Sequence, residues 1–229
     1  MNIVVINGTE VKGCTYHIKE FFLSELKDNN KIEEFYLPRD MPHFCKGCKV
    51  CFFEDENLCP HASDTMPIWN SILSADLLVF ATPVYALRIP GQLKALLDHF
   101  SCHWMVHRPN RAMFSKRAVI LTNSIGAPNK AAQKDIITSL TWMGVSDIKS
   151  LGCGLMEGVI WHELSEKRRQ KIEKRTIKVA KKYTKSKQGK KGIKVRFLFQ
   201  MCKAMRRSMA KKEENPSADD LHWIKNGWL

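Results

Sequence analysis

The sequence predicts an α/β protein: a doubly wound parallel sheet of five strands with helices on both faces. Three observations lead there. Short, continuous apolar runs such as Ile3-Val4-Val5-Ile6 and Leu77-Leu78-Val79-Phe80 read as strands buried on both faces. Amphipathic helical patterns separate these runs, so strands and helices alternate as they do in parallel sheets. Turn-forming residues follow the runs, as at Asn7-Gly8-Thr9, Thr82-Pro83 and Thr122-Asn123-Ser124.

The elements follow in order. After the first strand, Ile18, Phe21, Phe22 and Leu26 mark one face of a helix. Residues 31–36 form a weaker strand, and the cysteine-rich stretch 45–59 has little periodicity and reads as a loop. Asp64 is placed to cap a helix bearing Ile68, Trp69, Ile72 and Leu73. The strand at 77–80 leads to Pro90, which opens a helix with Leu93, Leu96, Leu97 and Phe100 on its apolar stripe. A fourth strand covers 118–121, a helix carries Ile136, Ile137 and Leu140, and a fifth strand lies near 148–151. The helix over 165–183 turns Ile172, Thr176, Val179, Ala180 and Tyr183 inward.

Composition bounds the class. The 229 residues suit one α/β core with an extension, and 44% apolar content is ordinary for a globular protein. No apolar run is long enough to span a bilayer, and the N-terminus lacks signal-peptide features, so a cytoplasmic location is expected. Eight cysteines are then expected as thiols, metal ligands or redox groups rather than structural disulfides. The net charge of +14 is uneven: residues 165–212 hold 20 Lys and Arg against two acids, leaving the remainder at −4. A mildly acidic body carrying a basic appendage is the reading.

That appendage begins with a flexible basic linker, residues 186–192. Beyond it Leu198, Met201, Cys202, Met205 and Met209 share one helical face, expected to cover the protein's own core or a second subunit. A membrane surface or partner groove is the alternative. Specific nucleic-acid recognition is not expected, since the basic residues lack interleaved aromatics. Trp223 and Trp228 predict that the terminus docks rather than frays.

In a doubly wound sheet, ligands bind beyond the carboxyl ends of the strands. The first such loop holds Gly8, Thr9, Val11, Lys12, Gly13, Cys14 and Thr15, whose glycines, hydroxyls and helix N-terminal amides suit a phosphate. It lacks the P-loop and dinucleotide patterns, and a plain strand–turn–helix connection fits it too. The second loop is Thr82-Pro83-Val84-Tyr85 and the third runs from Thr122 to Gly126.

Together these loops resemble the NADPH-dependent FMN reductase and iron–sulfur flavoprotein families, which share a flavodoxin-like fold. The resemblance covers about residues 1–155. Its most specific part is Ala75-Asp76, the buried strand, Thr82-Pro83-Val84-Tyr85, then Leu93-Lys94 and Asp98. It implies that Pro83, Val84, Tyr85 and Ala86 line the isoalloxazine ring of FMN, and that Asn123, Ser124, Ile125 and Gly126 flank its other edge. Gly8, Thr9, Gly13 and Thr15 match the phosphate loop. The family's Ser-Pro-Arg is Thr9-Glu10-Val11 here, so the arginine is replaced and a carboxylate enters; Asp-Arg becomes Asp98-His99. The resemblance implies an FMN-dependent NAD(P)H oxidoreductase, with hydride passing from nicotinamide to the flavin N5 and on to a small acceptor, and a homodimer. No side chain is required as acid or base. Tyr85 either shapes the substrate face or packs the core. Residues 1–186 are expected to form the FMN-binding domain and 187–229 the extension.

Cys45, Cys48, Cys51 and Cys59 have the close spacing at which thiolates converge on one centre. In iron–sulfur flavoproteins such a cluster of cysteines holds a four-iron, four-sulfide centre beside the flavin, which would make this chain an electron carrier. Related FMN reductases carry similar cysteines without a cluster, and zinc is a third occupant. His99, His103 and His107, at intervals of four, would share a helix face, expected as a polar, partly exposed helix end or a dimer surface. A non-catalytic module docked through its basic tail is the remaining rival.

Overall fold

The computed structural model describes residues 1–28, 30–154, 160–185, 187–210 and 215–229. Five parallel strands, β1 (Asn2–Asn7), β2 (Lys31–Tyr36), β3 (Leu77–Pro83), β4 (Arg117–Ser124) and β5 (Asp147–Gly154), lie in the order β2-β1-β3-β4-β5. The order reverses between β1 and β3, which opens a crevice at their carboxyl ends.

Alternation along β1 sends its side chains to two separate cores. Val4 and Ile6 join the core under α3 (Ala62–Ser74), α4 (Gly91–His99) and α5 (Lys130–Trp142), while Ile3 and Val5 face α1 (Cys14–Ser24) and α6 (Glu166–Ala180). Both faces of the sheet are therefore covered, which is why its strands read as unbroken apolar runs. The flavodoxin-like α/β architecture is as the sequence predicts.

A third core belongs to the C-terminal region. Helix α7 (Ile193–Ala210) and α8 (Ala218–Lys225) bring Val195, Phe199, Cys202, Trp223 and Trp228 against Met105, Phe114 and Trp142 of the body. The Trp223 indole is fully buried and donates to the His107 carbonyl at 2.6 Å. Buried Asp219 accepts from His107 Nδ1 at 2.8 Å and pairs with Arg206 and Arg108. The docked terminus is as expected, but the orientation of α7 is not. Its inward face is Val195, Phe199, Cys202 and Arg206, whereas Met201, Met205 and Met209 are exposed. Arg206 can be buried because its guanidinium donates to the Val106 carbonyl and to Asp219.

Three local expectations are corrected. His61, not Asp64, precedes α3, and Asp64 lies in its first turn. The cysteine-rich stretch contains a short helix, α2 (Val50–Phe53), and a 3-10 turn, Glu56–Leu58. Helix α4 stops at His99 and passes into a 3-10 turn, Phe100–His103, so the three histidines do not share a face. His99 and His103 are buried and His107 is partly so, each with a different partner, which excludes the exposed helix end. None of the described helices is long and apolar enough to cross a membrane.

Candidate functional site

The crevice between β1 and β3 is built from close backbone approaches. Gly8 N–H donates to the Ala81 carbonyl at 2.8 Å, and a Cβ on Gly8 would stand 2.2 Å from Thr82 Oγ1. Only glycine fits there. Gln92 Nε2, near the start of α4, donates to the Gly8 carbonyl at 2.8 Å and ties the loop to the next helix. The Thr15 hydroxyl donates to Asn123 Oδ1, and Val84 N–H donates to the Asn123 carbonyl at 2.8 Å, so all three strand-end loops are joined through Asn123.

These joints surround a pocket lined by Thr9, Val11, Gly13, Cys14, Thr15, Pro83, Val84, Tyr85, Asn123, Ser124 and Ile125. Of the residues expected at the cofactor, Gly8, Lys12, Ala86 and Gly126 lie outside the lining. The Lys12 ammonium sits 5.6 Å from the Tyr16 ring centre. Ala86 belongs to a tight turn, and Gly126 takes a left-handed φ of 74°.

The pocket's chemistry is divided. The N-terminus of α1 carries no side-chain cap, and the helix dipole favours an anion there. Glu10, the departure from the family's loop, is exposed and within charge range of Arg39, whose guanidinium is held by Asp40 at 2.8 Å. Val11, Tyr85 and Ile125 are exposed apolar side chains that line the same pocket. Tyr85 is 49% exposed at the pocket edge, so it does not pack the core. An anion site joined to an apolar slot fits a phosphorylated planar ring such as FMN.

The turn bearing Tyr85 is strained. Tyr85 and Arg88 exchange backbone hydrogen bonds of 3.0 and 2.9 Å, and both residues between them have positive φ, Ala86 at 47° and Leu87 at 65°. Turns of this kind ordinarily take Asn or Gly. A fork from Arg88 to Asp135 on α5 clamps the turn, with Nε to Oδ2 at 2.9 Å. Gln92, Arg88 and Asp135 were not legible as site-supporting residues, because their partners are distant in sequence.

A second cavity lies along the cysteine-rich segment and is lined by Cys45, Cys48, Cys51 and Cys59 together. Left-handed residues Gly47 and Lys49 bend the chain between these cysteines. The same cavity holds three groups that spacing did not reveal: Cys102, His61 and His99. A hydrogen bond from the Cys102 thiol, aided by the Arg108 charge, holds Cys51 below the ordinary thiol range, while Cys102 is raised by that bond and by burial. Four thiols on one cavity, one of them favouring the thiolate, fit an iron–sulfur cluster's donor set. His103 lines the cavity too, stacked on Trp69 with ring centres 3.8 Å apart.

Comparison with known proteins gives the family and the fold. A family model described as NADPH-dependent FMN reductase matches residues 1–154. The chain is similar to an iron–sulfur flavoprotein of Methanocaldococcus jannaschii, 28% identical over 127 residues, 55% of this chain and 59% of that protein. It is also similar to one of Methanosarcina thermophila, 30% identical over 124 residues, 53% of this chain and 61% of that protein. These matches span about three fifths of the relatives' length. Among solved structures, an FMN-dependent NADH-azoreductase from Bacillus anthracis in complex with FMN superposes with a TM-score of 0.59 at 14% identity, covering 81% of this chain and 100% of that one. An NAD(P)H:quinone oxidoreductase from Methanothermobacter marburgensis gives 0.60 at 16% identity, covering 80% and 96%. At these identities the structural likeness shows the fold alone.

Proposed function

The chain belongs to the NADPH-dependent FMN reductase family, and on that footing we propose that it binds FMN in the β1–β3 crevice and works as an NAD(P)H-dependent oxidoreductase. The observation that carries the reading is the pocket in which the first, second and third strand-end loops meet, lined both by the uncapped N-terminus of α1 and by exposed apolar side chains.

FMN held there would supply the redox chemistry, hydride transfer with a nicotinamide and electron transfer to a small acceptor. The chain's own residues bind and orient. Backbone groups of Thr9, Val11, Lys12, Gly13, Cys14 and Thr15 surround the phosphate at the start of α1, where the helix dipole adds to the attraction. Pro83, Val84 and Tyr85 would lie along the ring, and Asn123, Ser124 and Ile125 would border its other edge. The apolar side chains of Val11, Val84 and Ile125 exclude water, and Tyr85 limits what stacks on the open face. The reading includes a cytoplasmic location and a homodimer. The exposed apolar rim of the pocket, Val11, Tyr85, Leu87 and Ile125, is the surface that a second copy would cover.

The test is titration of FMN followed by quenching of its fluorescence, then addition of NADPH or NADH without oxygen. Saturable FMN binding that Tyr85→Ala leaves nearly intact, with nicotinamide-dependent bleaching slowed in that variant, supports the assignment. Absence of FMN uptake removes it.

One observation favours a second reading, an iron–sulfur flavoprotein electron carrier: Cys45, Cys48, Cys51 and Cys59 line a single cavity. On this reading the four thiolates would hold a 4Fe–4S cluster, which would supply one-electron transfer. Iron and sulfide analysis of anaerobically purified protein decides between a cluster and bare thiols. For the tail, the exposed Phe197 and Met201 beside the basic side chains of α7 make contact with an anionic membrane or a partner the property to test, by sedimentation with lipid vesicles.

A further inference from the structure

We propose that Cys59, His61 and His99 form a binding site for one zinc-class divalent cation, with a ligand set different from the four motif cysteines. The Cys59 sulfur and one ring nitrogen from each histidine lie within 4.8 Å of one another. They come from two separate segments, the end of the cysteine-rich stretch and the last residue of α4. Among the described residues, this is the group whose donor atoms converge most closely on a point a metal ion could occupy.

The orientation of His99 is set from behind. Its Nδ1 is 2.8 Å from the Ala95 carbonyl, and a carbonyl only accepts, so Nδ1 carries a hydrogen. Nε2 is thereby aimed into the cavity, 3.0 Å from His61 Nδ1. Metal-ligating histidines have this support: one nitrogen donates to a backbone carbonyl and the other faces the ion. His61 is fixed by stacking on His43, with ring centres 4.5 Å apart, and by the Thr65 hydroxyl, which donates to the His61 carbonyl at 3.1 Å.

The spacing matches a small tetrahedral ion. With metal–nitrogen bonds of ~2.0–2.1 Å, two ligand nitrogens stand about 3.3 Å apart, so the histidine pair need open only by a few tenths of an ångström. A hydrogen bond between the rings accounts for the 3.0 Å separation, but not for a thiol brought near both nitrogens. One thiolate with two imidazoles is a donor set that suits Zn²⁺. Because Cys59 also belongs to the four-cysteine motif, a cluster and the single cation exclude one another. The site does not depend on the flavin reading.

The experiment uses the full chain, stripped of metal under reducing, oxygen-free conditions and titrated with Co²⁺ as the spectroscopic probe. The expected result is one equivalent bound, with a thiolate-to-cobalt band and the strong d–d bands of a tetrahedral site, displaced by Zn²⁺. His99→Gln and His61→Gln are each expected to weaken binding by at least about tenfold. Cys45→Ser and Cys48→Ser should leave cobalt binding unchanged. The opposite pattern, with cobalt retained in both histidine variants or lost in Cys45→Ser, overturns the proposal and places any metal on the four thiols. Circular dichroism of each variant, measured separately, reports an intact fold. Should His99→Gln fail to fold, His61→Gln decides.

Discussion

Replacing Gly8 by alanine tests the crevice at its tightest point. The added Cβ would stand 2.2 Å from Thr82 Oγ1 and 2.7 Å from Thr82 Cβ, where ordinary contact begins at 3.4 Å. Thr82 is fully buried and has no room to retreat, so the ends of β1 and β3 must part by about 1 Å. Overpacking of this kind costs about 1–3 kcal/mol. Separation also strains the 2.8 Å bonds from Gly8 to Ala81 and from Gln92 to Gly8, adding about 1 kcal/mol for a lost bond. A loss of roughly 2–4 kcal/mol in a chain of this length lowers Tm by roughly 5–15 °C. Because the same movement displaces the phosphate loop, FMN affinity should fall by at least about tenfold, a displacement of ~1 Å being enough to spoil a bound geometry. Circular dichroism melting gives the first quantity and FMN fluorescence titration the second. An alanine variant that melts within 2 °C or so of the parent and binds FMN equally well would refute the reasoning. Thr82→Ala in the same background should recover only part of the loss, since its Cβ remains.

Three further outcomes follow from the structure. Burial brings His103 to about 3, against an ordinary 6.5, so between those values the unfolded chain takes up a proton that the folded chain refuses. Stability is then lost as pH falls from 6.5 towards 3, by up to about 1.4 kcal/mol per pH unit; His103→Phe should flatten that slope in denaturant titrations at pH 4–6.5, and equal slopes count against it. Leu87→Gly relieves a left-handed leucine whose side chain is exposed, and should raise Tm by a few degrees, equivalent to about 1 kcal/mol, by differential scanning fluorimetry. Trp223→Ala empties the centre of the third core and should cost about 3–5 kcal/mol in urea unfolding; a cost below about 1 kcal/mol would mean that the terminus is not docked.

Much of this was legible because the sheet is buried on both faces. Ile3–Ile6 and Leu77–Phe80 had no polar alternation to confuse, and β2 was recovered at its true limits, Lys31–Tyr36. The pocket residues were readable because strand-end loops in such a fold must meet at the point where strand order reverses. The misreadings share a cause: helical periodicity says which residues share a face, not which face turns inward. In α7 the methionine stripe was the obvious apolar face, yet the body selected Val195, Phe199 and Cys202 and satisfied Arg206 with a carbonyl and an aspartate. The histidine series assumed that α4 continued, whereas the chain tightens after His99 and sends that ring to His61. Contacts across the fold, such as Cys51 with Cys102 or Arg88 with Asp135, leave no local pattern to read.

The central claim is that FMN binds in the crevice and is reduced there by a nicotinamide. The most direct measurement is the visible absorption spectrum of the protein purified without oxygen, recorded before and after adding FMN and then NADPH. The account predicts a two-banded flavin spectrum, carried by the protein or acquired on adding FMN, that NADPH bleaches. A colourless protein that takes up no FMN, or a bound flavin that neither NADPH nor NADH can bleach, would contradict it.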